Sequence, residues 1–163
     1  MKAQQELEKE IIHIYAEAYQ NLGYSSLMGK IVALLIISPE PLSLDAIAER
    51  LEMSKGPISQ IARRLKDHHL IERVWIPGER KDFYKATDDI FGQAFRNYAI
   101  SMKRNYQIAD RFVQRCDEIE NGDIAFTRRR MEEMKAFYAL MEQHNKDFIK
   151  AWTQTLTDFK NKR

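Results

Sequence analysis

Two segments in the middle of the chain decide the fold, Ser43-Leu-Asp-Ala-Ile-Ala-Glu-Arg-Leu51 and Ser54-Lys-Gly-Pro-Ile-Ser-Gln-Ile-Ala-Arg-Arg-Leu-Lys66. Each begins with a serine, a residue that commonly caps the N-terminus of a helix. The apolar residues that follow recur every three or four positions, which places them on one helical face. Pro57 lies in the first turn of the second segment, where its missing N–H costs little. The two segments are therefore predicted to be short amphipathic helices.

Only Glu52 and Met53 separate the two predicted helices. Short helices joined by so brief a turn form a helix-turn-helix, whose second helix enters the major groove of DNA. In this second helix, Ile58, Ala62 and Leu65 are expected to face the core. The opposite, solvated side then carries Lys55, Ser59, Gln60, Arg63 and Lys66.

A β-hairpin is predicted directly after these helices. The run Leu70-Ile-Glu-Arg-Val-Trp-Ile76 alternates apolar and polar residues, and Phe83-Tyr-Lys-Ala-Thr87 is predicted to be its partner strand. Between them lies the charged, turn-forming loop Pro77-Gly-Glu-Arg-Lys-Asp82. This pattern indicates a two-stranded β wing with a basic tip, in which Glu72 and Arg73 are expected to form a local ion pair.

Helices are predicted on both sides of this winged region, so the fold class is mainly α. Apolar residues at helical spacing indicate one helix over residues 4–22 and a second, apolar almost all round, over 26–38. Beyond the wing, apolar residues keep a heptad-like spacing up to Ile119 and again from about Asp123. Long helices this apolar need a partner, so we expect a homodimer. The predicted domains are an N-terminal helix joining the dimerisation region (1–22), a winged helix-turn-helix DNA-binding domain (23–88) and a long-helix dimerisation region (89–163).

The composition indicates a folded cytoplasmic protein. With 44% hydrophobic residues among 163, the chain has enough apolar side chains for a core. Its net charge of +2 does not by itself indicate a nucleic-acid binder, so the placement of the basic residues carries that argument. Cys116 is the single cysteine and the N-terminus has no secretory signal pattern, which predicts a reducing compartment. The longest apolar run, Ile31 to Ile37, is too short to cross a bilayer.

Two stretches carry a resemblance to a known family, Ser54-Lys-Gly-Pro-Ile-Ser59 and Val74-Trp-Ile-Pro-Gly-Glu-Arg-Lys-Asp-Phe-Tyr84. Together with residues 23–51, they resemble the GbsR family within the MarR superfamily of bacterial regulators. The similarity covers roughly residues 20–90, and the later helices are alike only in kind. The resemblance implies a dimeric winged-helix transcription factor, expected to be a repressor on a pseudo-palindromic operator, with no cofactor.

The second helix and the wing are predicted to contact double-stranded DNA. Ser59 and Gln60, one turn into the helix, have side chains of the kind that reads base edges. Basic residues on the same helix are expected to hold phosphates, and Arg80 at the wing tip is expected to enter the minor groove. The alternative is that these are ordinary solvated charges. The predicted DNA-binding set is Ser54, Lys55, Pro57, Ser59, Gln60, Arg63, Lys66, Arg80 and Lys81.

The resemblance also implies a small-molecule effector. The named member of that family senses choline and represses genes for the synthesis or uptake of glycine betaine. In the superfamily, ligands commonly bind between the winged domain and the dimerisation helices. Aromatic faces can hold a quaternary ammonium group, although aromatic residues at helical spacing also serve as packing core. The residues expected to line such a site are Tyr19, Tyr24, Phe91, Phe95 and Tyr98.

Catalysis is not expected from this sequence. It has no Gly-rich phosphate loop, nucleophile elbow or Cys–His pair with an orienting third group, and no catalytic or metal-binding residue is predicted. The adjacent His68 and His69 cannot both reach one metal ion from a helix. The alternative function is a winged-helix module that binds protein rather than DNA, because a fold does not fix a function. Steep salt dependence of duplex binding would separate the two functions.

Overall fold

Helices form most of the computed structural model, which describes residues 2–120 and 122–162. The chain divides into a winged unit, which ends at Ile90, and a long-helix unit, which begins at Phe91. Among the described residues, no helix is both long enough and apolar enough to span a membrane. The elements in chain order are α1 (Lys2–Asn21), α2 (Ser26–Ile37), β1 (Leu42–Ser43), α3 (Leu44–Leu51), α4 (Lys55–Asp67), β2 (Ile71–Val74), β3 (Phe83–Ala86), α5 (Ile90–Asp117) and α6 (Ala125–Asn161).

The core of the winged unit is built around α2. This helix is apolar almost all round, as the sequence predicts, and it packs against α1, α3, α4 and β3. Its first turn is capped by Ser25, whose hydroxyl accepts the N–H of Met28 at 3.2 Å. Burial of such side chains is the main stabilising term of the unit. The most deeply buried ones are Ile31, Val32, Leu34, Ile47, Ile58, Leu65 and Ile71.

Helix α1 crosses α2 at a point where the two backbones almost touch. A Cβ atom built on Gly29 would lie 2.9 Å from the carbonyl carbon of Tyr15 and 3.0 Å from the Cα of Ala16. Nearer the start of α1, the Glu8 carboxylate forms an ion pair with Arg50 of α3 and accepts a hydrogen bond from its guanidinium at 3.0 Å. The first helix is therefore packed onto the winged unit. Its place in a dimer interface stays a prediction.

Helices α3 and α4 form the predicted helix-turn-helix. Ser43 caps α3 by accepting the N–H of Ala46 at 3.2 Å, which confirms the expected N-cap. In the turn, Glu52 has a φ of 53°, the left-handed conformation that ends α3. Ser54 occupies the N-cap position of α4, but its side chain makes no capping hydrogen bond. The predicted start of α4 is therefore correct, whereas the Ser54 hydroxyl does not cap the helix.

The wing contains one strand more than the sequence predicts. Strands β2 and β3 pair in an antiparallel hairpin, and β1 adds to the free edge of β3, giving the order β1-β3-β2. In the added pair, Leu42 lies opposite Tyr84 and Ser43 opposite Phe83. A two-residue strand is too short to show a period, which is why the sequence pattern missed it. The mainly helical winged helix-turn-helix fold is confirmed.

The long-helix unit consists of α5 and α6, which run antiparallel. Phe95 near the start of α5 packs against Phe148 of α6, with ring centroids 4.5 Å apart and the ring planes tilted by 49°. Farther along, Asp110 of α5 pairs with Lys135 at 2.6 Å. Cys116 is buried near the end of α5, as expected for a small apolar side chain.

Candidate nucleic-acid interface

Helix α4 has one buried face and one solvated face. Ile58, Ala62 and Leu65 are fixed in the core, so the orientation of the helix about its own axis is determined by packing. Ser59 is partly exposed and Gln60 is exposed one turn into the helix. The polar face is therefore accessible to solvent. Its other exposed members are Lys55, Arg63, Arg64 and Lys66.

Two of the predicted DNA-contacting lysines bind the same carboxylate. Asp45, in the first turn of α3, accepts Lys55 Nζ on Oδ1 at 2.7 Å and Lys81 Nζ on Oδ2 at 2.9 Å. Hydrogen bonds from these two lysines lower the pKa of Asp45 from 3.8 to about 2, and the same carboxylate raises the pKa of Lys81. The Asp45 bridge thus joins the first residue of α4 to the tip of the wing.

The remaining basic residues of this surface have no such partner. Within residues 2–120 and 122–162, Arg63 and Lys66 on α4 and Arg80 on the wing tip form no ion pair. All three side chains are exposed. Their charge is available to a polyanion without breaking an internal contact.

The wing is held by ion pairs other than the one expected. Glu72 pairs with Lys85 at 3.0 Å, and Arg73 pairs with Asp82 at 3.0 Å. The expected pair between Glu72 and Arg73 is therefore wrong. Neighbouring residues on a strand point to opposite faces, whereas Glu72 and Lys85 lie directly opposite each other across β2 and β3.

The wing tip turns at a glycine. Gly78 has a φ of +84°, a left-handed conformation that glycine adopts without strain.

At the start of α4, Pro57 in the first turn and Ser54 just before the helix are both exposed. These positions place the predicted DNA-binding set on the surface of the winged unit. Their contacts with DNA stay a prediction.

Four of the five predicted effector residues form two ring pairs, one in each unit. In the winged unit, Tyr19 and Tyr24 have ring centroids 5.8 Å apart, and burial raises the pKa of Tyr19. In the long-helix unit, Phe95 and Tyr98 have ring centroids 6.0 Å apart, and Phe91 is exposed. An effector site built from these residues stays a prediction.

Asp45 is the member of this surface that sequence reasoning missed. In the sequence it is one acidic residue in the first turn of a short helix, a position that favours carboxylates in general. Its two lysine partners come from a different helix and from the wing. No local spacing rule connects such positions, so the sequence carries no signal for the bridge.

Comparisons with known proteins agree with this architecture. The chain is 30% identical over 84 residues to the HTH-type transcriptional repressor OpcR of Bacillus subtilis, a match that covers 52% of this chain and 45% of OpcR. The chain thus spans about half the length of that relative. It is 28% identical over 138 residues to the HTH-type transcriptional regulator MmpR5 of Mycobacterium tuberculosis, covering 83% of this chain and 81% of MmpR5.

A solved structure shares the fold. The crystal structure of a transcriptional regulator superposes with a TM-score of 0.76 at 24% identity, covering 90% of this chain and 98% of that one. No family model matches the chain. In sequence the chain is therefore similar to HTH-type transcriptional regulators, and in fold to a solved transcriptional regulator.

Proposed function

We propose that this protein is a homodimeric, cytoplasmic regulator of transcription of the GbsR type within the MarR superfamily, which binds duplex DNA as a repressor and performs no chemistry. The observation that carries the proposal is the solvated polar face of α4, held outward by the buried Ile58, Ala62 and Leu65. The names of the relatives OpcR and MmpR5 support it.

The chemistry of each side chain determines which part of the DNA we propose that it contacts. Gln60 can form two hydrogen bonds with adenine, and Ser59 can donate to or accept from several bases. Arg63 and Lys66 flank these residues on α4 and hold phosphates, which fixes the register of the helix. Arg80 lies at the wing tip, where a guanidinium suits the negative potential of a narrow minor groove.

The dimer is proposed from the apolar surface of the long-helix unit. On α6, Phe137, Leu140 and Phe148 are 57%, 74% and 48% exposed in the single chain. Phe137 and Leu140, three positions apart, lie on one side of the helix, and Phe148 follows two turns later, beyond the exposed His144. An exposed apolar stripe of this kind is typical of a protein interface, and a second copy of the chain is the occupant we propose. A two-fold dimer then presents two α4 helices to a pseudo-palindromic operator.

The proposal extends to a quaternary ammonium effector such as choline or glycine betaine. It rests on the family resemblance and on the aromatic pairs Tyr19 with Tyr24 and Phe95 with Tyr98. Ring faces attract a cation that has no N–H to donate, at about 0.5 to 2 kcal/mol per contact. Such a ligand changes DNA affinity only if it binds the free and DNA-bound conformations unequally.

Arg80→Ala and Gln60→Ala are expected to affect DNA binding in different ways. Arg80→Ala should weaken binding to all duplexes and reduce the magnitude of the salt slope by about one, because one cation fewer against the DNA releases one counterion fewer. Gln60→Ala should instead relax base preference, since one specific pairing is worth roughly 1 to 3 kcal/mol. Fluorescence anisotropy titrations over a range of salt concentrations measure both quantities.

Arg111→Ala on α5 is the matched control for the lost charge, because Arg111 is exposed and lies outside the winged unit. It should leave both the affinity and the salt slope close to wild type. If the Arg80 and Gln60 variants also bound like wild type at every salt concentration, α4 and the wing would not be the DNA-binding surface.

A further inference from the structure

The Asp45 bridge engages two lysine side chains whose positive charge the proposed DNA-binding surface would otherwise present to DNA. Lys55 opens α4 and Lys81 lies at the wing tip, the two elements proposed to contact DNA. Each oxygen of the Asp45 carboxylate takes one ammonium group, at 2.7 and 2.9 Å. Two oxygens that share a negative charge and each accept an ammonium group present the same chemistry as a backbone phosphate.

We propose that Asp45 is an intramolecular competitor of the DNA backbone, which holds Lys55 and Lys81 in the free protein and releases them to phosphates when a duplex binds. This inference rests on the proposed DNA-binding function. It assigns to Asp45 the role of limiting affinity for duplexes of any sequence, because the released lysines contact phosphates and not bases.

The exposure of the three side chains makes this exchange feasible. Lys55, Lys81 and Asp45 are 57%, 60% and 44% exposed, so solvent reaches both ion pairs. Ion pairs in that setting are weak, and their partners can be replaced without a large cost. A buried bridge would instead have been a fixed part of the core.

The charge of Asp45 persists under the conditions in which DNA is bound. Its pKa of about 2 keeps the carboxylate ionised near neutral pH, so the bridge is broken by a competing anion and not by protonation. After the lysines have moved to phosphates, the carboxylate remains beside the DNA surface and repels it. Both effects, the two lost ion pairs and the repulsion, oppose binding.

Asp45→Asn tests the proposal in the full-length protein. The variant should bind a random-sequence duplex roughly 3- to 30-fold more tightly than wild type, from two exposed ion pairs that no longer need to break. Its salt slope should stay close to that of wild type, because the same two lysines neutralise phosphates in both complexes and the gain lies in the ion pairs that no longer break. Anisotropy titrations of the same duplex at several salt concentrations give both values.

Glu49→Gln is the matched control. Glu49 lies one turn farther along α3, is exposed, and forms no ion pair within the described ranges. This substitution removes the same charge without freeing a lysine, so it should tighten binding much less than Asp45→Asn. A double-mutant cycle adds a second readout, because Lys55→Gln should weaken binding more in the Asp45→Asn background than in wild type.

The comparison of Asp45→Asn with Glu49→Gln either supports or overturns the proposed competition. Tighter binding by Asp45→Asn than by Glu49→Gln supports competition, whereas equal or weaker binding overturns it and makes Asp45 a residue that only positions the wing. Thermal unfolding of each variant controls for folding, and Asp45→Ser, which removes the same charge, replaces Asp45→Asn if that variant unfolds. If wild type bound no duplex at all, the proposed function would fail and this inference with it. If wild type binds and Asp45→Asn matches it, only this inference fails.

Discussion

Leu140→Glu is expected to convert the protein from a dimer into a monomer. In the single chain Leu140 is 74% exposed, so a glutamate there costs the monomer little. In the proposed dimer the leucine is buried, and losing about 2 kcal/mol of apolar burial in each of two copies weakens association roughly a thousandfold. Multi-angle light scattering at micromolar concentration measures the change in mass.

DNA binding should fall together with the dimer. A monomer contacts one half-site, and the loss of simultaneous engagement lowers affinity for a two-half-site duplex by about 10² to 10⁴. Gln143→Glu, on the same helix but outside the apolar stripe, introduces the same charge and should leave the dimer intact. A Leu140→Glu protein that kept the dimer mass and wild-type DNA affinity would show that this stripe of α6 is not the dimer interface.

Gly29→Ala is expected to destabilise the winged unit strongly. The added Cβ would lie 2.9 Å from the carbonyl carbon of Tyr15 and closer still to its oxygen, and these are backbone atoms that cannot rotate away. Helix α1 must then move off α2, at a cost of about 3 kcal/mol. For a chain of this size that loss corresponds to a fall in Tm of roughly 10 °C, measured by circular dichroism.

Gly56→Ala is the control for the chemical change. Gly56 lies in the first turn of α4, and a Cβ there meets nothing within 4 Å. Alanine is the better helix former by up to about 1 kcal/mol, so this variant should unfold at the wild-type temperature or slightly above it. Equal Tm values for the two alanine variants would mean that α1 does not pack on α2 as closely as described.

The elements of the winged unit could be predicted because local patterns determine them. The spacing of Ile58, Ala62 and Leu65 gave the inward face of α4, and the serine at position 43 marked the start of α3. The alternation of residues 70–76 gave the hairpin that became β2 and β3. Each of these signals lies within a few residues along the chain, and local signals of this kind are enough to predict a single helix or strand.

Contacts between distant residues could not be predicted in the same way. Strand β1 exists because its two residues meet the edge of β3, and nothing in its own length indicates a strand. The close approach at Gly29 depends on where α1 crosses α2. The ion pair of Glu72 with Lys85 depends on the register of the hairpin. The ion pairs of Asp45 with its two lysines depend on how α3, α4 and the wing are placed. These contacts can be identified only from the three-dimensional structure.

The salt dependence of duplex binding tests the central claim most directly. A dimer that places three to five cations per protomer against phosphates makes about six to ten contacts, and its affinity for duplex DNA should fall about 10³- to 10⁵-fold between 50 and 200 mM salt. Anisotropy titrations of the full-length wild-type protein with a labelled duplex measure this slope. A linear, steep decrease of log affinity with log salt is the result expected of a winged helix-turn-helix that binds DNA through α4 and its wing. No binding at 50 mM salt, or an affinity that does not change with salt, would contradict it.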